Sequence, residues 1–172
     1  MDKLYALLVI LIVIYIGINL GSPLLGFDNG NTTDNVTDVV DENLIHVGAS
    51  TIPKIDNFTD NAVNDTTISL VDENKGMTIN VSEIDNSQGI GDIAGNYYNN
   101  YPHTSNQTID QNGVTTYFLY NEVSEYYSSD IFFNKNGQNY CISGDNIPYA
   151  DSDYFINHCK GIIDTINITS TS

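Results

Sequence analysis

Basic side chains are scarce in this sequence, which has five lysines, no arginine and 22 acidic residues among its 172 positions. The formal net charge at pH 7 is therefore −17. Nucleic-acid binding normally requires a cluster of basic side chains that displaces counterions from the phosphates. An acidic chain is also repelled by anionic lipid headgroups. The composition argues against nucleic acid as a partner and predicts a soluble part that stays off an anionic membrane surface.

Motifs that carry catalysis are also missing. The sequence has no G-x-S-x-G, no H-E-x-x-H and no glycine-rich loop of the kind that cradles phosphates. Paired carboxylates such as Glu122 and Glu125 fall between two predicted strands, where a solvated charge is the ordinary role. We predict that the protein is not an enzyme, that it has no catalytic residues and that it uses no cofactor.

Metal-ligand spacings are equally scarce. His158 and Cys159 follow Asp151 and Asp153, but transition-metal sites need three or four convergent ligands, and no C-x-x-C or H-x-x-x-H spacing supplies them. We therefore predict no metal site. Aspartate-asparagine clusters suit turns and are compatible with weak, non-specific calcium binding, although none forms a complete calcium loop. They lie at Asp72 to Asn74, Asp110 to Asn112, Asp145 to Asn146 and Asp151 to Asp153.

One long apolar run is present, at the N-terminus, where Leu4 to Ile18 reads LYALLVILIVIYIGI. About 20 mainly apolar residues form a helix long enough to cross a bilayer, and residues 4–24 supply them. A cleaved signal peptide is the alternative, but no A-x-A pattern follows the run. We predict a single-pass anchor over residues 1–27 that enters the lipid bilayer. Lys3 precedes the span, so the N-terminus is predicted to be cytoplasmic and the rest external.

The remaining chain divides into a stalk, a domain and a tail. Residues 28–65 are rich in Asn, Thr and Asp without a sustained periodic pattern, which is typical of a disordered, extended stalk. The boundary is soft, because apolar residues at 44, 45, 47 and 52 are compatible with a short strand or a segment that docks on the domain. Residues 66–168 are predicted to form an α+β ectodomain, followed by a tail at 169–172.

Periodic patterns in this ectodomain predict strands and helices in the order ββαββββα. Alternating apolar residues flank the loop at 72–76 and predict the first hairpin. Asn112-Gly113 and Asn136-Gly137 each join two β-prone runs, a strong signal for a two-residue hairpin turn. Helical spacing recurs at Ile90, Ala94, Tyr97 and Tyr101, and again at Phe155, Cys159, Ile162 and Ile166. Short connections predict a mainly antiparallel sheet with two packed helices.

This order of elements resembles the Mog1/PsbP-like fold over residues 66–168. The resemblance rests on element order, without a residue motif, and no site residue is carried over from it. Members of that fold serve as binding or accessory modules in unrelated settings, so the resemblance implies a fold and leaves the function open.

Two chemical features of the chain beyond the predicted anchor suit an exported protein. Cys141 and Cys159 are candidates for a disulfide that closes a loop of about 17 residues and contributes roughly 3 kcal/mol. The alternative is two buried cysteines that act as small apolar side chains. Sequons of the form N-x-[ST] predict a glycoprotein. They occur at Asn31, Asn35, Asn57, Asn64, Asn80, Asn106 and Asn167.

Tyrosine is abundant, with twelve residues, while tryptophan is absent. Tyrosines that face outward form recognition surfaces, whereas those that face inward fill the core. The sequence therefore predicts a membrane-anchored, surface-exposed domain without catalysis that binds a protein or glycan partner or belongs to the cell envelope. The alternatives are a pilin-like filament subunit and a secreted enzyme with an unrecognised site.

Overall fold

The computed structural model describes residues 42–101, 105–123 and 125–169. The predicted anchor (residues 1–27), the first part of the predicted stalk, and the sequons at Asn31 and Asn35 lie outside these ranges. Within these ranges, no helix combines the length and the apolar character that a membrane crossing requires.

The described residues form ten strands, two α-helices and a short 3₁₀ helix, so the prediction of an α+β domain is confirmed. The first five strands are β1 (Leu44–Val47), β2 (Ser50–Pro53), β3 (Thr59–Asn64), β4 (Thr67–Asp72) and β5 (Met77–Ile84). Helix α1 (Ile90–Asn100) follows, then β6 (Ser105–Gln111), β7 (Val114–Val123), β8 (Tyr126–Lys135) and β9 (Gln138–Pro148). The 3₁₀ helix (Tyr149–Asp151), α2 (Ser152–Thr165) and β10 (Asn167–Ile168) complete the order. From β4 to α2 the elements follow the predicted order ββαββββα.

The strands pair into two sheets, and all pairs are antiparallel. The larger sheet has the strand order β3-β4-β5-β9-β8-β7-β6, and the smaller has the order β1-β2-β10. Both predicted Asn-Gly turns join adjacent strands of the larger sheet. Asn112 and Gly113 have φ of 51° and 85°, and Asn136 and Gly137 have φ of 55° and 84°. Positive φ at both central residues identifies the turn that matches the twist of the flanking strands.

The domain begins earlier than predicted, because β1, β2 and β3 lie within the stretch assigned to the stalk. Ile45, Val47 and Ile52 are at most 5% exposed and join the main core. The prediction of a disordered stalk is therefore wrong for residues 44–64. Strands β1 and β2 are short, and their buried residues alternate with more exposed ones, so the average composition of this stretch resembles that of a linker.

The two helices pack on opposite faces of the larger sheet. Helix α2 and the smaller sheet cover one face, where Phe133, Tyr140 and Phe155 contribute to the main core. Helix α1 covers the other face, where Ala94, Leu119 and Phe132 form a second, smaller core. Both faces of strand β8 are therefore buried, as its consecutive Ile131, Phe132 and Phe133 show.

The prediction of a disulfide between Cys141 and Cys159 is wrong, because both cysteines are free. Cys159 belongs to the core beneath α2, whereas Cys141 packs in the core beneath α1. Successive side chains of a strand point to opposite faces of the sheet. Tyr140 and Ile142 face α2, so Cys141 between them faces away from it. The sheet itself separates the two sulfur atoms.

Candidate ligand groove

A groove of about 560 Å³ lies beside α1, on the face of the larger sheet that α2 does not cover. Its walls come from strand β5, the loop that joins β5 to α1, the helix itself, and strands β8 and β9. The lining residues are Ser82, Ile84, Asp85, Ser87, Gln88, Ile93, Asn96, Tyr97, Asn100, Tyr101, Phe132 and Cys141. We call this concavity the α1 groove.

Helix α1 lies close to the sheet on its side away from the α1 groove. A Cβ atom at Gly91 would lie 2.8 Å from the hydroxyl oxygen of Tyr117 on β7, so any larger residue would have to displace the Tyr117 side chain. Ala94 is the buried residue of the helix. With such small residues along this flank, the helix approaches β7. The opposite flank, with Ile93, Asn96, Tyr97 and Asn100, faces the groove.

Aromatic rings form one wall of the α1 groove. The ring centroids of Tyr97 and Tyr101 are 4.2 Å apart with 27° between the planes, so the two rings stack. The Tyr97 ring also packs against Phe132, with 5.1 Å between centroids and a tilt of 58°. Tyr101 is 54% exposed, so the ring face turned away from Tyr97 is accessible. The wall offers a large, stiff contact surface with hydroxyl groups at its edge.

Hydrogen bonds from strand β9 hold the loop between β5 and α1 in place. The Asn139 side chain, which is 2% exposed, donates from Nδ2 to the carbonyl oxygens of Asp85 and Gln88, at 3.0 Å each. The backbone N–H of Asn139 donates to Oδ1 of Asn86 at 2.7 Å. A buried amide that is satisfied in this way fixes the backbone on both sides. The polar rim of the α1 groove is therefore preformed.

One carboxylate lies on this rim. Asp85 accepts a hydrogen bond from the backbone N–H of Ser87 at 2.9 Å and another from the Ser87 hydroxyl. These two bonds, that of the side chain first, lower the pKa of Asp85. The Asp85 side chain is therefore ionised at neutral pH.

The thiol in the α1 groove is not activated. Burial and, secondarily, the charge of Asp130 raise the pKa of Cys141. Burial, followed by the same carboxylate, also raises the pKa of Tyr97. Because the thiolate is the nucleophilic form of cysteine, Cys141 is inert at neutral pH.

The structure separates the residues of the candidate metal set. His158 packs edge-on against Phe58 and Tyr154, at centroid distances of 5.0 and 4.4 Å. Cys159, the next residue, is fully buried in the main core. In the part of the chain that the structure describes, no three His, Cys, Asp or Glu side chains converge as a metal site would require.

Two of the aspartate-asparagine clusters show how these residues act in turns. Asp72 is 2% exposed and accepts bonds from the backbone N–H groups of Asn74 and Lys75, at 3.0 and 3.2 Å. Asp110 accepts from the backbone N–H of Gly113 at 2.8 Å. Their carboxylates thus bond to backbone donors of the same turn.

Four of the sequon asparagines are exposed, namely Asn57, Asn64, Asn106 and Asn167. Asn80 is half-buried in strand β5, where its side-chain oxygen accepts a hydrogen bond from Ser69. An N-linked sugar is attached through Nδ2, so this bond to Oδ1 does not by itself prevent modification of Asn80. The exposed positions remain predicted modification sites.

Sequence reasoning identified Tyr97 and Tyr101 as helix residues but did not place them in a groove with Phe132, Cys141 and the loop at 85–88. The sequence did indicate that both faces of the sheet are covered at strand β8. Ile131-Phe132-Phe133 is a continuous apolar run, and a strand that is buried on both faces has such a run instead of alternating apolar and polar residues.

No family model matches this chain, and no curated protein sequence matches it either. Among solved structures, the chain is similar to the solution structure of cyanobacterial PsbP (CyanoP) from Synechocystis sp. PCC 6803. The two are 9% identical with a TM-score of 0.47, and the match covers 81% of this chain and 98% of the other. The expected PsbP-like resemblance is confirmed by this match, which concerns the fold alone and carries no argument about function.

Proposed function

We propose that this protein is a non-catalytic binding module whose ligand occupies the α1 groove. The observation that carries the proposal is the combination of a 560 Å³ concavity, an aromatic wall and a rim held by Asn139. Ligand sites in proteins are concavities of about 300–1,000 Å³ with mostly apolar walls and a few fixed polar groups. The α1 groove has this size and this composition.

The chemistry of the groove supports binding rather than catalysis. Its thiol is protonated at neutral pH, because burial raises the pKa of Cys141. Its carboxylate, Asp85, is held ionised by Ser87 and has a lowered pKa, which is the opposite of what a general acid needs. These groups orient a bound molecule rather than transfer a proton or form a covalent bond.

We further propose that residues 4–24 anchor the module in a cell membrane, with the C-terminal domain outside. The uncharged run and the position of Lys3 before it support this orientation. External protease added to intact cells is expected to remove the domain from the membrane fraction. A full-length protein recovered from the cytosol would contradict the anchor.

The groove is tested by ligand screening on the full-length protein in detergent, with thermal unfolding as the readout. A ligand of the α1 groove raises the unfolding temperature of the native protein by mass action. Tyr101→Ala is expected to reduce this shift, since truncation removes an exposed part of the aromatic wall. Tyr126→Ala is the matched control, because Tyr126 is 51% exposed and lies outside the groove.

The screen has two informative results. Stabilisation that depends on Tyr101 and not on Tyr126 supports the binding function. If every ligand that stabilises the protein does so equally in Tyr101→Ala, the α1 groove is not the binding site and the proposal is wrong.

A further inference from the structure

The α1 groove lies in a region of negative charge. None of its lining residues is a lysine or a histidine, and Asp85 lies on its rim. A second carboxylate, Asp130 on strand β8, is close enough to disfavour the anionic forms of Tyr97 and Cys141. A ligand in this groove therefore meets the Asp85 carboxylate, with the charge of Asp130 nearby and, among the lining residues, no compensating cation.

The lysines that the structure describes belong to other parts of the domain. Lys75 forms an ion pair with Asp151, just before α2. Lys135 donates from Nζ to the carbonyl oxygens of Ile163 and Asp164 at the C-terminal end of α2, at 2.8 and 2.7 Å. Lys160 is a residue of α2, and Lys54 follows β2 of the smaller sheet. Cationic charge is thus placed near α2 and the smaller sheet, away from the α1 groove.

The aromatic wall also favours a positively charged ligand. The faces of tyrosine and phenylalanine rings carry partial negative charge, and they attract cations within about 6 Å of the ring centroid. Tyr101 presents an accessible ring face, as described above. Below it, Ile84, Ile93 and Phe132 provide apolar surface for the uncharged part of a ligand. A carboxylate and aromatic faces in one apolar concavity suit a positively charged group on an apolar body.

From this charge complementarity, we propose that the α1 groove binds a small organic cation, a protonated amine or quaternary ammonium group attached to an apolar body. This inference rests on the proposed binding function and specifies its ligand class. A cation of this kind is attracted by Asp85 and Asp130 and by the exposed face of Tyr101. An anion of the same shape is repelled by the same carboxylates.

The test uses three probes that share one apolar body and differ in charge. Phenethylamine is the cation, 2-phenylethanol the neutral analogue and 3-phenylpropionate the anion. Binding to the full-length protein in detergent is measured by titration calorimetry at pH 7 and low salt. We expect the cation to bind roughly three- to tenfold more tightly than the neutral analogue, the range that one cation–π contact and one carboxylate provide. We expect the anion to bind most weakly.

Variants separate charge from shape. Asp85→Asn is expected to remove part of this preference, which weakens cation binding roughly two- to threefold and leaves binding of the neutral probe unchanged. Asp130→Asn is a second variant in case the loop of Asp85 rearranges. Asp153→Asn is the matched control, because Asp153 is exposed on α2. Added salt is expected to weaken the cation and not the neutral probe.

The outcomes distinguish the ligand class from the binding function. If the neutral probe, or a neutral saccharide such as maltotriose, binds in a Tyr101-dependent manner at least as tightly as the cation, the inference is wrong and the binding function stands. Cation affinity that is unchanged in both aspartate variants also overturns the inference. If no probe of any charge binds with dependence on Tyr101, the inference fails, and the ligand screen with Tyr101→Ala decides whether the proposed function fails with it.

Discussion

The hydroxyl oxygens of Ser50 and Tyr140 lie 2.6 Å apart in the core, and both residues are at most 1% exposed. Ser50 lies on β2 of the smaller sheet, and Tyr140 lies on β9 of the larger sheet. Nearby, the Glu83 carboxylate accepts a hydrogen bond from the backbone N–H of Ala49 at 2.9 Å. Through these contacts, Ala49 and Ser50 bind to the central strands of the domain, although the composition of their segment resembles that of a linker.

Substitutions within the predicted stalk should therefore differ sharply in effect. Ile52→Ala is expected to lower the free energy of unfolding by about 2–5 kcal/mol, because Ile52 is fully buried and its truncation leaves a cavity. Val63→Ala, on the exposed strand β3, is expected to change it by at most about 0.5 kcal/mol. Urea unfolding of both variants measures the difference. Equal and small effects would show that residues 44–64 are not part of the folded domain.

Both cysteines should be present as protected thiols. Burial raises the pKa of Cys141 and of Cys159, and their side chains lie on opposite faces of the sheet. We expect slow alkylation by iodoacetamide at pH 7.5 in the native protein and rapid alkylation of both after unfolding. Mass spectrometry counts the labels. An unfolded, unreduced protein that takes up no label would contradict the free thiols, as would an unfolding temperature that falls on addition of a reductant.

Substitution of glycine by alanine is expected to change the stability of the fold in opposite directions at Gly144 and Gly161. A Cβ atom at Gly144 on β9 would collide with the Phe155 ring and lie 2.8 Å from Ile147, so Gly144→Ala is expected to destabilise the fold by about 1–3 kcal/mol. At Gly161, in α2, nothing lies within 4 Å of the added atom, so Gly161→Ala is expected to stabilise by about 0.5–1 kcal/mol. Thermal or urea unfolding measures the change in stability of each variant. Stabilisation by Gly144→Ala would contradict the packing of α2 on β9.

Stability should fall at alkaline pH through buried tyrosines. Burial, as the main cause, raises the pKa of Tyr127 to about 12 in the folded protein, against 10.0 ordinarily. Between pH 10 and 12 the Tyr127 hydroxyl loses its proton in the unfolded chain but retains it in the folded chain. The contribution of Tyr127 to the free energy of unfolding is therefore complete below pH 10 and decreases as the pH rises toward 12. The slope for one such group is about 1.4 kcal/mol per pH unit.

Replacement of Tyr127 tests this dependence. Tyr127→Phe is expected to make the loss of unfolding free energy between pH 10 and 11 shallower by about 1 kcal/mol. Tyr126→Phe, at the exposed neighbouring position, is the matched control. Urea unfolding at pH 9, 10 and 11 provides the comparison. Parallel curves for the native protein and both variants would contradict the burial of the Tyr127 hydroxyl.

Local chemistry made much of the fold predictable from the sequence. The Asn112-Gly113 and Asn136-Gly137 turns require positive φ at both positions, and few residues other than Asn and Gly accept it. The helical spacing of Phe155, Cys159 and Ile162 marked a face that the structure buries. In these cases the information lies within a few neighbouring residues.

The remaining features depend on contacts between distant parts of the chain. Spacing along the chain gave Cys141 and Cys159 a plausible loop but did not indicate the sheet face, although the alternation of Tyr140, Cys141 and Ile142 contains that information. The α1 groove was not predictable because its lining comes from four separate segments, and each segment contributes residues that are ordinary on their own.

Strand β5 pairs with β9, with Asn80 opposite Ser143. In the chain, α1 and three strands (β6, β7 and β8) lie between these two partners. The other strand pairs of this sheet join neighbours in the chain, so they form at small loop-closure entropy. The rate at which this domain folds should therefore be governed by the encounter of β5 with β9. Residues at that seam, such as Val81 and Ile142, would then set how long a newly made chain remains open to aggregation.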